Sequence, residues 1–127
     1  MNFLEDFLKE VRSIVPAYKG ELLNVTIRDV RPDSETSLSY AKTEMFGLVM
    51  LFNYSVDRSV DEQMGKMTRD LIDAVHTLKG TYYLPYRLHA SRDQFKRIYP
   101  SAEDFFLQKR RFDPSEIFQN KFYLAYK

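Results

Sequence analysis

The chain has 127 residues, 19 basic and 18 acidic side chains and no cysteine. The length predicts a single domain, residues 1–127, and the balanced charge gives no electrostatic reason to bind nucleic acid or an anionic membrane. The absence of cysteine excludes disulfides, thiolate nucleophiles and zinc-finger sites, and it agrees with a cytoplasmic location. No apolar run reaches the length of a membrane span, and the acidic start of the chain is unlike a signal peptide.

The first half of the chain predicts one helix and two strands. Apolar residues recur at helical spacing over residues 3–15, which predicts an amphipathic helix that ends at Pro16. Residues 22–31 alternate between apolar and polar side chains, as in a strand with one buried face. Residues 46–52 are apolar on both sides, which predicts a second strand that is covered on both faces.

The second half predicts a longer helix, a third strand and a helical tail. Ser59 and Glu62 form a capping-box pattern that predicts the start of the helix, and Gly80 is expected to close it. The aromatic residues 81–86 predict the third strand. Capping residues and early prolines then indicate the starts of three short helices. Those starts are Ser91, the Pro-Ser pair 100–101 and the Asp-Pro pair 113–114.

The order of these elements predicts the fold class. One more strand placed before residue 1 would give β-α-β-β-α-β, the split ferredoxin-like arrangement. We therefore expect an α+β fold, namely an incomplete ferredoxin-like antiparallel sheet with helices on one face and a C-terminal helical tail. The absent strand would lie between the second and third strands of this chain, and its loss leaves long strands with an unpaired edge. These exposed edges predict a homo-oligomer, most simply a two-fold dimer.

The last third of the chain carries spaced residues that resemble a known family. The pattern consists of the aromatic segment with His89, Tyr99-Pro100, the basic run 109–111 with Asp113-Pro114, and Phe118-x-Asn120-x-Phe122. In this order it resembles the C-terminal end of FAD-linked oxidases of the vanillyl-alcohol-oxidase type, in the branch of sugar-lactone and alditol oxidases. The resemblance extends more weakly back to about Asn24.

The resemblance implies a function that this chain shares with a partner domain. It implies the C-terminal cap, or substrate, domain of an FAD-dependent oxidoreductase that oxidises an alcohol-type substrate. The FAD-binding domain of the parent enzyme is absent from this chain, and the four glycines here are too scattered to cradle a phosphate. We therefore expect the isolated chain to hold no FAD and to be inactive.

The resemblance also implies five site residues. His89 is expected to be catalytic, through an imidazole that hydrogen-bonds a substrate hydroxyl or the flavin edge. Arg28, Tyr86 and Arg87 are expected to bind the substrate, and Asn120 the cofactor. The alternatives are a surface histidine, a solvent-facing arginine, half-buried interface tyrosines and an asparagine that bonds nearby backbone. We expect no metal site, because the two histidines lack a clustered pair of carboxylates.

Three positions depart from the family pattern and leave a second function open. Thr26 stands where the family has a glutamate, and Val49 and Leu51 replace polar side chains. These changes favour a substrate that is more apolar than a small polyol or lactone. The alternative is a non-catalytic ferredoxin-like module that binds a small ligand or a protein partner through its bare sheet face.

Overall fold

A computed structural model describes residues 3–55 and 57–127. Within these ranges the fold is α+β, with one two-stranded antiparallel sheet and a C-terminal helical tail, as the sequence predicts. No helix among these residues is both long and apolar enough to cross a membrane. The elements are α1 (Phe3–Ala17), β1 (Glu21–Val30), β2 (Met45–Asn53), α2 (Arg58–Thr77), α3 (Arg92–Ile98), α4 (Ala102–Phe112) and α5 (Lys121–Tyr126).

The sheet is a long hairpin whose one face is covered by α1 and α2. β1 and β2 pair from Glu21 opposite Asn53 to Val30 opposite Met45, with a bulge between Leu22 and Asn24. The apolar face predicted for β1 is mostly open, because Leu23 and Ile27 are 57% and 47% exposed. The sheet instead packs against an apolar cluster mainly through alternate residues of β2, since every second strand residue points to the same side. That cluster joins Phe7, Val11 and Val15 of α1 and Met67 and Leu71 of α2 to Leu22, Leu48, Met50 and Phe52 of the sheet.

The ends of α1 and α2 use the same turn. Lys19 and Lys79 adopt left-handed backbone angles, with φ of 52° and 61°. The glycine that follows each lysine donates its amide to a carbonyl five residues earlier, from Gly20 to Val15 at 3.0 Å and from Gly80 to Val75 at 2.8 Å. This bond satisfies a helix carbonyl that would otherwise lack a partner. The prediction that Gly80 closes the second helix is therefore confirmed.

A second core holds the C-terminal tail together. Phe95 is fully buried and stacks on Tyr126 with ring centroids 4.5 Å apart. The capping box at Ser91 is confirmed, because its side chain accepts from the Gln94 amide while the Gln94 side chain accepts from the Ser91 amide. Tyr126 also donates its hydroxyl to the Ala90 carbonyl at 3.0 Å. These contacts anchor the segment that leads from α2 to α3.

The third predicted strand is wrong. Residues 81–86 form an irregular segment with a turn at Leu84 and Pro85. A strand exists only where a neighbour completes its hydrogen-bond ladder, and only β1 pairs with β2 among the described residues. The aromatic segment therefore lies opposite an open strand edge, without a strand beside it.

Of three further predicted helix starts, two are wrong in detail and one is confirmed. The helix α2 begins at Arg58 after Asp57, so Ser59 lies inside its first turn. The start at the Pro-Ser pair 100–101 is confirmed, because Ser101 is the N-cap residue of α4, although its side chain makes no capping hydrogen bond. Asp113 begins no helix, because its carboxylate accepts from the Ile117 and Phe118 amides and holds a turn. The last helix starts at Lys121 instead.

Candidate functional site

A large groove runs beside the sheet, between β2 and the segment that follows α2. Its volume is about 1530 Å³. All residues from Met45 to Phe52 line it, whereas β1 contributes only Arg28, Asp29 and Val30, so the groove follows the free edge of β2. The other walls come from α1, from α2 and from three sets of connecting residues, namely 79–83, then 86, 87 and 89, and Tyr40, Glu44 and Tyr54. We call this feature the edge groove.

His89 lies at the α2 side of the edge groove and is mostly buried, with 13% of its side chain exposed. Its Nδ1 lies 3.2 Å from Thr68 Oγ1. The Thr68 hydroxyl donates to the Met64 carbonyl at 2.8 Å, so its oxygen is left to accept a hydrogen from His89 Nδ1. This arrangement fixes the neutral ring with its hydrogen on Nδ1, and Nε2 keeps a lone pair.

The electrostatic surroundings keep the imidazole neutral. Burial lowers the pKa of His89, and the nearby Arg87 and Arg69 guanidinium groups lower it further, whereas the Asp61 carboxylate raises it. The net shift is downward, because burial disfavours the charged ring. His89 is therefore neutral at neutral pH, with Nε2 able to accept a proton or a hydrogen bond.

Arg87 and two tyrosines complete this cluster. Arg87 pairs with Asp61 at 3.2 Å, and its guanidinium lies 5.2 Å from the centroid of the Tyr54 ring. The Tyr54 hydroxyl is buried without a hydrogen-bond partner among the described residues. Tyr86 is 71% exposed and packs edge-on against Tyr83. The cluster thus combines a proton acceptor, an ion pair and aromatic surface.

Two of the predicted site residues lie elsewhere. Arg28 pairs with Gly47 near the start of β2, whereas Tyr54 follows the end of that strand. With a rise of about 3.3 Å per residue, these positions are roughly 20 Å apart, so Arg28 lies at the opposite end of the edge groove from Arg87. Asn120 does not line the groove; its side chain caps α5 by accepting from the Tyr123 amide at 2.8 Å.

Sequence reasoning missed the residues of α2 that hold His89. Asp61 and Thr68 lie seven positions apart, which places them on one face of a helix. Arg69 on the same helix donates to the His89 carbonyl at 3.0 Å. The signal in the sequence was a polar stripe with Gly65 in its centre, where an added Cβ would lie 3.7 Å from His89 Cδ2. Only the packed structure shows that His89, from the segment after α2, is the residue that this polar stripe contacts.

The residues of the chain do not fit FAD binding by themselves. The N-terminus of α2 follows Asp57 and carries Asp61 in its first turn, so negative charge stands where a pyrophosphate would need helix amides. Asn120 is engaged in capping α5. Among the described residues no group of three or more His, Cys, Asp or Glu side chains could hold a metal ion.

The comparisons with known proteins identify no relative. No family model matches the chain, and neither the curated proteins nor the solved structures compared with it include a match.

Proposed function

We propose that the chain is the substrate-binding cap domain of an FAD-dependent oxidoreductase that oxidises an alcohol-type substrate. The oxidant FAD would belong to the flavin-binding domain of the parent enzyme, and we assign no residue of this chain to holding it. The observation that supports the proposal is the neutral imidazole of His89, which lies beside a large groove with Asp61 Oδ1 3.8 Å from its Nε2. We also propose a cytoplasmic location, as predicted from the lack of cysteine.

The cluster around His89 suits the removal of a proton from an alcohol. Nε2 would accept the hydroxyl proton of the substrate, as a general base must lie within hydrogen-bond reach. Asp61 Oδ1 lies 3.8 Å from Nε2, so its charge stabilises the imidazolium that forms. Tyr54 and Tyr86 offer aromatic surface, which agrees with a substrate more apolar than a small polyol. Arg87, which its ion pair with Asp61 holds in place, would orient the substrate.

The test uses the complex that this chain forms in its own cells. The complex, purified through a C-terminal tag, should be yellow, and one of a series of alcohols should bleach its flavin absorbance without air. The variant His89→Gln should slow that bleaching by about 10²–10⁴-fold while the complex stays assembled. The matched control is His76→Gln, because His76 lies in the last turn of α2 and outside the edge groove.

Two outcomes would refute this proposal. A colourless complex would exclude the flavoenzyme, and bleaching that His89→Gln leaves unchanged would remove His89 from the reaction. The second candidate is a non-catalytic module that binds a protein partner. The open edge of β2 and the apolar walls of the edge groove favour it, and a colourless but stable complex would support it.

A further inference from the structure

We propose that the edge groove accepts one extended segment of a partner polypeptide, which pairs antiparallel with β2 as an added strand. The inference does not depend on the oxidoreductase proposal, because it uses only the shape and the backbone of the groove. It assigns to the chain a protein-binding surface of a defined kind, in which main-chain hydrogen bonds give affinity and alternate side chains give specificity.

The first support is the unpaired edge of β2. Among the described residues β2 pairs only with β1, so alternate amides and carbonyls of this nine-residue strand point into the edge groove. Buried backbone groups need hydrogen-bond partners, and an exposed edge pairs readily with another chain. Antiparallel pairing continues the pattern of the existing hairpin.

The second support is the size of the edge groove. A strand residue in a packed sheet occupies about 160 Å³, which is the product of the distance between strands, the distance between sheets and the rise per residue. The groove volume of about 1530 Å³ is therefore large enough for a strand of roughly nine residues, the length of β2. A small substrate alone would leave most of this volume unfilled.

The third support is the chemistry of the walls. Leu71, Ile72 and Val75 of α2 line the edge groove together with Phe7 of α1. One face of the added strand must be apolar to cover these side chains. The charged lining residues are few: Arg28, Asp29 and Glu44 lie near the start of β2, Lys79 follows α2, and Arg87, which pairs with Asp61, lies toward the other end.

A second copy of this chain fits the edge groove poorly. The strands β1 and β2 are already paired with each other, so a copy would present two strands at once. The wall opposite β2 is fixed, because Thr81 donates to the Tyr40 carbonyl at 2.6 Å and the Tyr82 and Tyr99 rings lie 5.6 Å apart. The partner must therefore supply a lone extended segment.

The test uses a fluorescent synthetic peptide with the sequence of β1, ELLNVTIRDV, because this strand already pairs antiparallel with β2. Fluorescence anisotropy should show saturable binding to the chain. Hydrogen exchange should slow at the β2 amides that do not bond to β1, while exchange in β1 stays unchanged. The control peptide carries proline at two alternate positions, which removes two ladder donors, and it should not bind.

A matched pair of variants tests the location. Phe46 is 58% exposed and lines the edge groove, so Phe46→Asp should weaken peptide binding by about tenfold or more. Leu124 is 51% exposed on α5, outside the groove, and Leu124→Asp should leave binding unchanged. Equal binding of the proline peptide would overturn the proposal. So would unpaired β2 amides that are already protected in the free chain, because a second copy would then fill the groove.

Discussion

Replacing Gly80 by alanine should destabilise the chain. Gly80 closes α2, and an added Cβ would lie 2.5 Å from Val75 Cγ2 and 3.1 Å from the Val75 carbonyl oxygen. Val75 cannot withdraw, because it packs against the core that joins α1, α2 and the sheet. The turn would have to open and weaken the hydrogen bond from Gly80 to Val75. Such overpacking costs about 1–3 kcal/mol of unfolding free energy.

Gly65 provides the matched control within the same helix. An added Cβ there would lie 3.4 Å from Arg69 Nη1 and 3.7 Å from His89 Cδ2, which is close to ordinary contact. Alanine in place of a glycine in a helix interior stabilises by about 0.5–1 kcal/mol. The variants Gly80→Ala and Gly65→Ala should therefore fall on opposite sides of the wild type.

Urea unfolding followed by circular dichroism measures both effects. The midpoint should move to lower urea for Gly80→Ala and to equal or higher urea for Gly65→Ala, with the same dependence on urea concentration. A wild-type midpoint for Gly80→Ala would show that the turn after α2 is looser than the contacts of Val75 indicate. The reasoning about this helix end would then be refuted.

Four further outcomes are expected. Titration of FAD into the purified chain should give no saturable change in flavin fluorescence, because Asp57 and Asp61 occupy the start of α2; tight binding would contradict this. An NMR titration should find the pKa of His89 below its ordinary value of 6.5, and Asp61→Asn should lower that pKa further; an unchanged pKa would exclude the contact. Because the folded-state pKa is the lower one, the stability that neutral His89 contributes should be complete above about pH 6.5 and be lost as the pH falls. Light scattering should find that the chain without its partner self-associates through exposed apolar residues outside the edge groove, among them Leu23 and Phe118. A stable monomer would contradict this.

The elements that the sequence predicted well carry their signal within themselves. The helices α1 and α2 and the strands β1 and β2 each show a long apolar period, and each formed within a few residues of its predicted range. The segment 81–86 has the aromatic composition of a strand, yet a strand also needs a neighbour, which lies outside the segment. The strand prediction for this segment failed because the segment has no hydrogen-bonding neighbour, and not because its own residues disfavour a strand.

The residues of the candidate site divide in the same way, into those that the sequence indicates by itself and those that depend on distant contacts. His89 and Arg87 could be named from the sequence, and the structure brings them together with Tyr86 along the edge groove. Asp61 and Thr68 could not, because their contacts with His89 span 28 and 21 residues of sequence. Asn120 matched a family pattern, but its hydrogen bond to the Tyr123 amide explains it locally.

The two proposals make one joint prediction about His89. A strand added along β2 would cover the apolar part of the edge groove and end beside Tyr54, next to the His89 cluster. Added cover removes water from the imidazole, and burial lowers the pKa of a histidine. Binding of the ELLNVTIRDV peptide should therefore shift the NMR signals of His89 and lower its pKa further. Signals and a pKa that stay unchanged at saturating peptide would show that the added strand and His89 occupy separate regions. A partner strand could not then complete the proposed catalytic site.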